Sequence, residues 1–152
     1  MPALYLFEHE VTETDIDGQG HANNISYLKW LQNAAIAHSD VQGWNTNLYK
    51  EHGWAWVVRS HFIEYRRPVF QGDAVVIKTW VHDMKKYSSL RKYEILNSKT
   101  EKLVARAETN WAFVATETGR LIAIPEIVSS AFEIPQSSNA SLASLRNIPE
   151  AK

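Results

Sequence analysis

Six residues between positions 15 and 24 could do chemistry together: Asp15, Asp17, Gln19, His21, Asn23 and Asn24, interleaved with Gly18 and Gly20. A carboxylate can take a proton from water or attack a carbonyl, and an imidazole can position it. Loops built of Gly, Asn and Asp present side chains and backbone N–H groups that regular structure would hide. The next residues, from Ile25 to Trp30, open an apolar, helix-forming run. A helix starting there adds unbonded amide donors and a positive dipole end, which is a place for negative charge. Taken alone, Asp17-Gly18 reads as a turn. Asp15 reads as a solvated or capping carboxylate, because two carboxylates two residues apart in extended chain point opposite ways.

The elements that must position this loop follow from periodicity. Leu4 to Val11 alternates loosely and predicts a first strand. Asn23 or Asn24 can cap a helix in which Ile25, Leu28, Leu31, Ala35 and Ile36 recur at helical spacing, widened by Tyr27, Trp30 and Ala34. Lys29 is the only charge between Ile25 and Ala37, so the helix is expected to be central. Gly43 ends it, and Thr46 to His52 adds one or two more turns. From Trp54 the period changes to two. Four long runs, Trp54 to Tyr65, Ala74 to His82, Ser88 to Leu96 and Leu103 to Val114, predict strands separated by turns, and the short connections predict an antiparallel meander. One long helix must then serve a sheet of five strands, which is economical if the sheet wraps around it. Pro125 to Ala131 predicts a short helix. The expected domain is residues 1–134, with residues 135–152, rich in Ser, Asn and Ala, as a weakly ordered tail.

At 152 residues, 45% apolar and 22% charged, the chain fits one globular domain. Its formal charge of −1 offers no basic excess for nucleic acid. It has no cysteine, and so neither disulfides nor thiolate metal sites. No stretch approaches 18 apolar residues and the N-terminus lacks a signal-like pattern, so the expectation is a cytoplasmic protein with no membrane partner.

The order of elements together with the loop resembles the hotdog-fold acyl-CoA thioesterases of the 4-hydroxybenzoyl-CoA thioesterase branch, from about Leu4 to Pro135. The sharpest part is Asp17, Gly20, Asn23 or Asn24, Tyr27 and Trp30. His21-Ala22-Asn23-Asn24 with Tyr27 and Trp30 also resembles an element of acyl-ACP thioesterases, although Gln19 stands where that element has Asn. Weaker echoes are Ile63 to Pro68 with Gly72-Asp73, and Thr118-Gly119-Arg120 with Pro125. The resemblance implies an α+β hotdog fold, a five-stranded antiparallel sheet wrapped around one long central helix.

It also implies a catalytic Asp17, as nucleophile or general base, and an oxyanion donor in the Asn24 backbone N–H. His21 is a further catalytic candidate, its other reading being a loop histidine that positions Asp17. Gln19, Gly20, Asn23 and Tyr27 are substrate-binding candidates beside them, with Asn23 also a cap and Tyr27 also a packing residue. Around the CoA phosphates the candidates are Ser88, Ser89 and Arg91, in a basic cluster with Lys85, Lys86 and Lys92 whose other reading is a solvated turn, and Arg59 and Arg67 offer further charge. Trp54, Trp56, Trp80 and Trp111 could line an acyl or aryl pocket. The implied assembly is a homodimer or tetramer with the active site at a subunit interface, which would also cover the open edge of a five-stranded sheet. Hydrolysis of acyl-ACP and a non-catalytic acyl-binding module stay open as alternatives.

No metal or cofactor is expected. The six histidines show no pair at metal spacing, Gly18-Gln19-Gly20 lacks the third glycine of a dinucleotide loop, and there is no Gly-x-Ser-x-Gly elbow. The only Gly-His pair is followed by Ala-Asn-Asn, unlike the His-Phe-Pro-Gly element of the dehydratases that share this fold.

Overall fold

A computed structural model describes residues 3–135; the expected C-terminal tail lies outside them from position 136 onward. The strands are β1 (Leu4–Glu10), β2 (Trp54–Tyr65), β3 (Ala74–Val81), β4 (Ser88–Asn97) and β5 (Leu103–Ala115), and the helices are α1 (Asn24–Val41), α2 (Thr46–Glu51) and α3 (Glu126–Ser129). One antiparallel sheet in the order β1-β3-β4-β5-β2 holds all five strands. α1 buries Tyr27, Trp30, Leu31, Ala34 and Ala35 against Val75, Ile77, Tyr93, Ile95, Ala105 and Ala107 of the sheet. This is the hotdog arrangement. Among the described residues no helix is long and apolar enough to cross a membrane.

The meander expectation needs one correction. β3, β4 and β5 follow one another, but β2 pairs with β5 at the far edge and not with β3. The chain between them spans three inter-strand gaps, roughly 14 Å, within the reach of eight extended residues. Along this crossover the N–H groups of Arg66 and Arg67 bond the Val104 carbonyl, those of Gly72 and Val11 tie it to β1, and Val69 is buried. The Val69 carbonyl accepts from Ala22 N–H at 2.8 Å, so the crossover also anchors the loop in front of α1.

β2 changes phase along its length. Trp54, Trp56 and Val58 share the helix-facing side with Phe113 and Trp111, and after the register shift at Arg59 the same side carries His61, Ile63 and Tyr65. The extra residue is a β-bulge, which keeps apolar side chains inward on both halves of a 12-residue strand. α1 is central but not apolar all round. Ile25 (63% exposed) and Ile36 (48%) face outward. Its end matches the glycine signal: Gln42 caps it and Gly43 follows at φ +96°, a left-handed conformation that favours glycine.

Candidate active site

The loop in front of α1 is a set of short hydrogen-bonded turns. Ile16 and Ala22 form an antiparallel bridge, Asp17 N–H donates to the His21 carbonyl at 3.0 Å, and Gly20 N–H returns to the Asp17 carbonyl at 3.2 Å. Gly20 takes φ +87° there, a conformation costly for a residue with a Cβ. The Asp17 carboxylate is therefore held at the tip of a closed loop. Its Oδ1 accepts from Gln19 N–H at 2.8 Å, and its Oδ2 lies 3.6 Å from His21 Nδ1. Both side chains are about one-third exposed, so the carboxylate can meet a solvent-borne substrate.

Two further bonds fix the helix start. Asn23 N–H donates to the Asp15 carbonyl at 2.7 Å, and Asn23 Oδ1 accepts from Ile25 N–H at 2.7 Å, making Asn23 the N-cap. The carboxamide of Asn23 is thereby committed to the helix. Asn24 is the first helical residue, and its N–H has no acceptor among the described residues. It is an exposed donor at the positive end of an 18-residue helix, suited to a developing oxyanion.

Asp15 caps, as one of its two readings had it, but it is not solvated. Only 7% exposed, it accepts from Thr12 N–H at 3.0 Å and pairs with His9 Nε2 at 2.8 Å. Burial pushes its pKa up, but the bonds from Thr12, His9 and Ser26 outweigh that and leave it below the ordinary carboxylate value. Tyr27 is core, packed between Trp30 and Tyr65, and burial reinforced by Tyr65 pushes its pKa up to about 12.

A cavity of about 550 Å³ lies at the other end of α1, between Gln32 to Asp40, α2 and the start of β2. Trp44, Trp54, Trp56, Trp111, Val81, Met84 and Phe132 give it apolar walls, and Ser89 and Arg91 reach it from β4. None of Asp17, His21 or Asn24 lines it. Trp80 is absent because it falls on the opposite face of β3 from Val81, and Trp44, from the turn after α1, takes its place. The walls fit together through Trp56 Nε1–H donating to Tyr49 Oη at 3.0 Å.

The basic cluster around β4 is divided by the pleat. Ser89, Arg91, Tyr93 and Ile95 alternate inward and are buried, while Ser88, Lys92 and Glu94 face the other way. Lys92 pairs with Glu108, Lys85 and Lys86 are exposed, and Ser89 Oγ–H is spent on the Asp83 carbonyl at 2.7 Å. Arg91 is thus an interior residue and does not join the lysines. Arg59, exposed, sits at the β2 bulge. Sequence reasoning did not single out Trp44, Tyr49 and Phe132 as cavity residues, because they belong to a short helix and turns without strong periodicity.

Comparison with known proteins adds the family. The model of the thioesterase-like superfamily matches residues 11–132. The chain belongs to that superfamily. Its thioesterase relatives include a chloroplastic palmitoyl-acyl carrier protein thioesterase of Cuphea hookeriana, 28% identical over 126 residues that make up 78% of this chain and 30% of the relative. The chain therefore spans about a third of the length of that relative. A 1,4-dihydroxy-2-naphthoyl-CoA thioesterase from Synechocystis superposes with a TM-score of 0.79 at 19% identity, over 85% of this chain and 95% of that one. A Staphylococcus aureus protein solved in complex with CoA superposes with a TM-score of 0.81 at 15% identity, over 89% and 88%. These likenesses show that the thioesterase-like chain shares the hotdog fold.

Proposed function

We propose that the chain hydrolyses an acyl-CoA thioester to the free acid and CoA. The observation that carries this reading is the pairing, at one end of α1, of an exposed carboxylate held by its own loop with a helix N–H that has no acceptor among the described residues. Membership of a thioesterase superfamily and a structural neighbour that holds CoA support it. Acting as a base, Asp17 takes a proton from water, and the hydroxide adds to the thioester carbon. Negative charge collects on the carbonyl oxygen at the Asn24 N–H, and the C–S bond then breaks as the thiolate leaves and is protonated. Acting as a nucleophile, the same carboxylate adds to the thioester carbon, the C–S bond breaks as the thiolate leaves and is protonated, and water opens the resulting acyl anhydride to the free acid and the Asp17 carboxylate. A single turnover in oxygen-18 water separates the two, because only the anhydride route leaves label in the enzyme. His21, 3.6 Å away, orients the carboxylate or shares its proton.

The acyl group is proposed to occupy the aromatic cavity, and the working unit to be a dimer or tetramer that completes the site. β2 is an edge strand whose outer face leaves Phe62 59% and Val57 43% exposed. Exposed edges bearing apolar residues invite pairing, and sedimentation tests it.

The deciding experiment follows thiol release from short, medium, long and aryl acyl-CoAs. Release supports the reading and gives the preferred acyl group. Release from acyl-ACP alone, falling steeply with added salt, points to an acidic carrier protein as the substrate instead. Ligand-induced thermal stabilisation without any release overturns hydrolysis in favour of a binding module.

A further inference from the structure

The aromatic cavity contains a group that a plain hydrocarbon chain does not need. Arg91 is 6% exposed and lines the cavity, yet no carboxylate among the described residues pairs with it. Its Nη1 donates to His38 Nδ1 at 2.9 Å and to Thr79 Oγ1 at 3.1 Å. A guanidinium has donors only, so Nδ1 must be the accepting nitrogen, His38 is neutral and its proton is on Nε2. The Gln42 carboxamide nitrogen lies 3.0 Å from Nε2; two donors cannot bond to each other, so the carboxamide is assigned the flipped orientation in which its oxygen accepts this proton. The imidazole is further fixed by stacking on Tyr5 at 5.3 Å. This network aims one nitrogen of a permanent cation and supplies no charge. Nε and Nη2 have no acceptor among the described residues. Removing a cation from water is costly unless an anion and further hydrogen bonds compensate, and a carboxylate matches two adjacent guanidinium N–H groups in a bidentate pair.

We propose that this cavity is a binding site for an amphipathic carboxylate, whose anionic end sits on Nε and Nη2 of Arg91 and whose apolar body packs against Trp44, Trp54, Trp56 and Phe132. Two molecules carry that chemistry. One is a free fatty acid, bound with its head inward. The other is an acyl thioester with a second carboxylate at its far end. Only the second depends on the hydrolytic reading.

Binding is followed through the fluorescence of the cavity tryptophans with decanoate and methyl decanoate at a pH where the acid is ionised. Wild type is expected to bind decanoate at least tenfold more tightly. Arg91→Met is expected to erase that preference while keeping affinity for the ester. Equal binding of acid and ester by wild type overturns the proposal, and this comparison stands by itself if the variant does not fold. The sources are distinguished by kcat/KM for hexadecanedioyl-CoA against hexadecanoyl-CoA, chains long enough to reach from the Asn24 end of α1 to Arg91. A ratio above one in wild type that collapses in Arg91→Met assigns the far-end carboxylate. A ratio at or below one, with decanoate competing against hexadecanoyl-CoA, assigns the free acid. Carboxylate-selective binding without any turnover would remove the hydrolytic reading and leave the site intact.

Discussion

At the N-terminal end of α1, Asp17 and the Asn24 amide stand in an exposed loop of short turns, whereas along its C-terminal half four tryptophans and a buried arginine enclose a cavity. The first region is built by local hydrogen bonds, the second by packing between residues far apart in the chain. Groups for bond-breaking must reach water and substrate and tolerate exposure. Groups for recognition act by excluding water. From Asn24 to His38, which touches Arg91, α1 rises about 21 Å at 1.5 Å per residue. One ligand spans that only with a long acyl chain, unless a second copy brings its loop to this cavity.

The largest effect that can sharpen the contrast is at the loop. Asp17→Asn keeps the acceptor for Gln19 N–H and removes the charge. Turnover should fall by about two to four orders of magnitude, the range for losing a positioned acid–base group, with an unchanged melting temperature. Comparable rates would end the assignment. A smaller but more specific loss is expected from Asn24→Pro. Asn24 is the first helical residue, where proline is well tolerated, and Asn23 before it already has the extended backbone (φ −74°, ψ 142°) that a following proline requires. The substitution thus deletes one N–H and little else. Loss of about two to three orders of magnitude in kcat is the cost of one oxyanion donor, and full activity would show that this amide is not one. At the cavity, Val58→Trp fills space from β2. It should lower kcat/KM for the longest acyl-CoAs about tenfold or more while sparing the shortest, and equal effects on all chain lengths would separate the cavity from the reaction.

The loop and the helix were legible because their signals are local. A cap at Asn23 or Asn24, Gly43 as terminator and Trp54 to Tyr65 as a strand need only neighbouring residues, and the structure has all three, with Asn23 as the cap. What was not legible depended on partners far along the chain. The crossover from Tyr65 to Ala74 reads as an ordinary turn until Val104 and Ala22 are seen to hold it. Arg91 reads as one of a surface group of cations because lysines surround it in sequence. Only the register of β4, with Ser89, Tyr93 and Ile95 inward, turns it into the cavity. The Arg59 bulge hid which tryptophans share the helix-facing side, since strict alternation over 12 residues would have placed His61, Ile63 and Tyr65 on the outer face.

The smallest expected effect on rate separates the two carboxylates that composition makes look alike. Asp15→Asn should change turnover by no more than about twofold, because Asp15 faces His9 and Thr12 and not the loop tip. Its cost should appear in stability. Loss of a cap alone is worth about 0.5–2 kcal/mol, or a few degrees in Tm for a chain of this size. The pH dependence follows from the sign of the shift. In the folded protein the Asp15 pKa is depressed below its unfolded value, so its stabilisation is fully present above the ordinary carboxylate range. It is lost as pH falls toward the lower folded value. Wild type and Asp15→Asn should therefore differ in Tm at neutral pH and converge in acid. A Tm difference that persists unchanged below that range would mean that Asp15 contributes through packing and not through its charge.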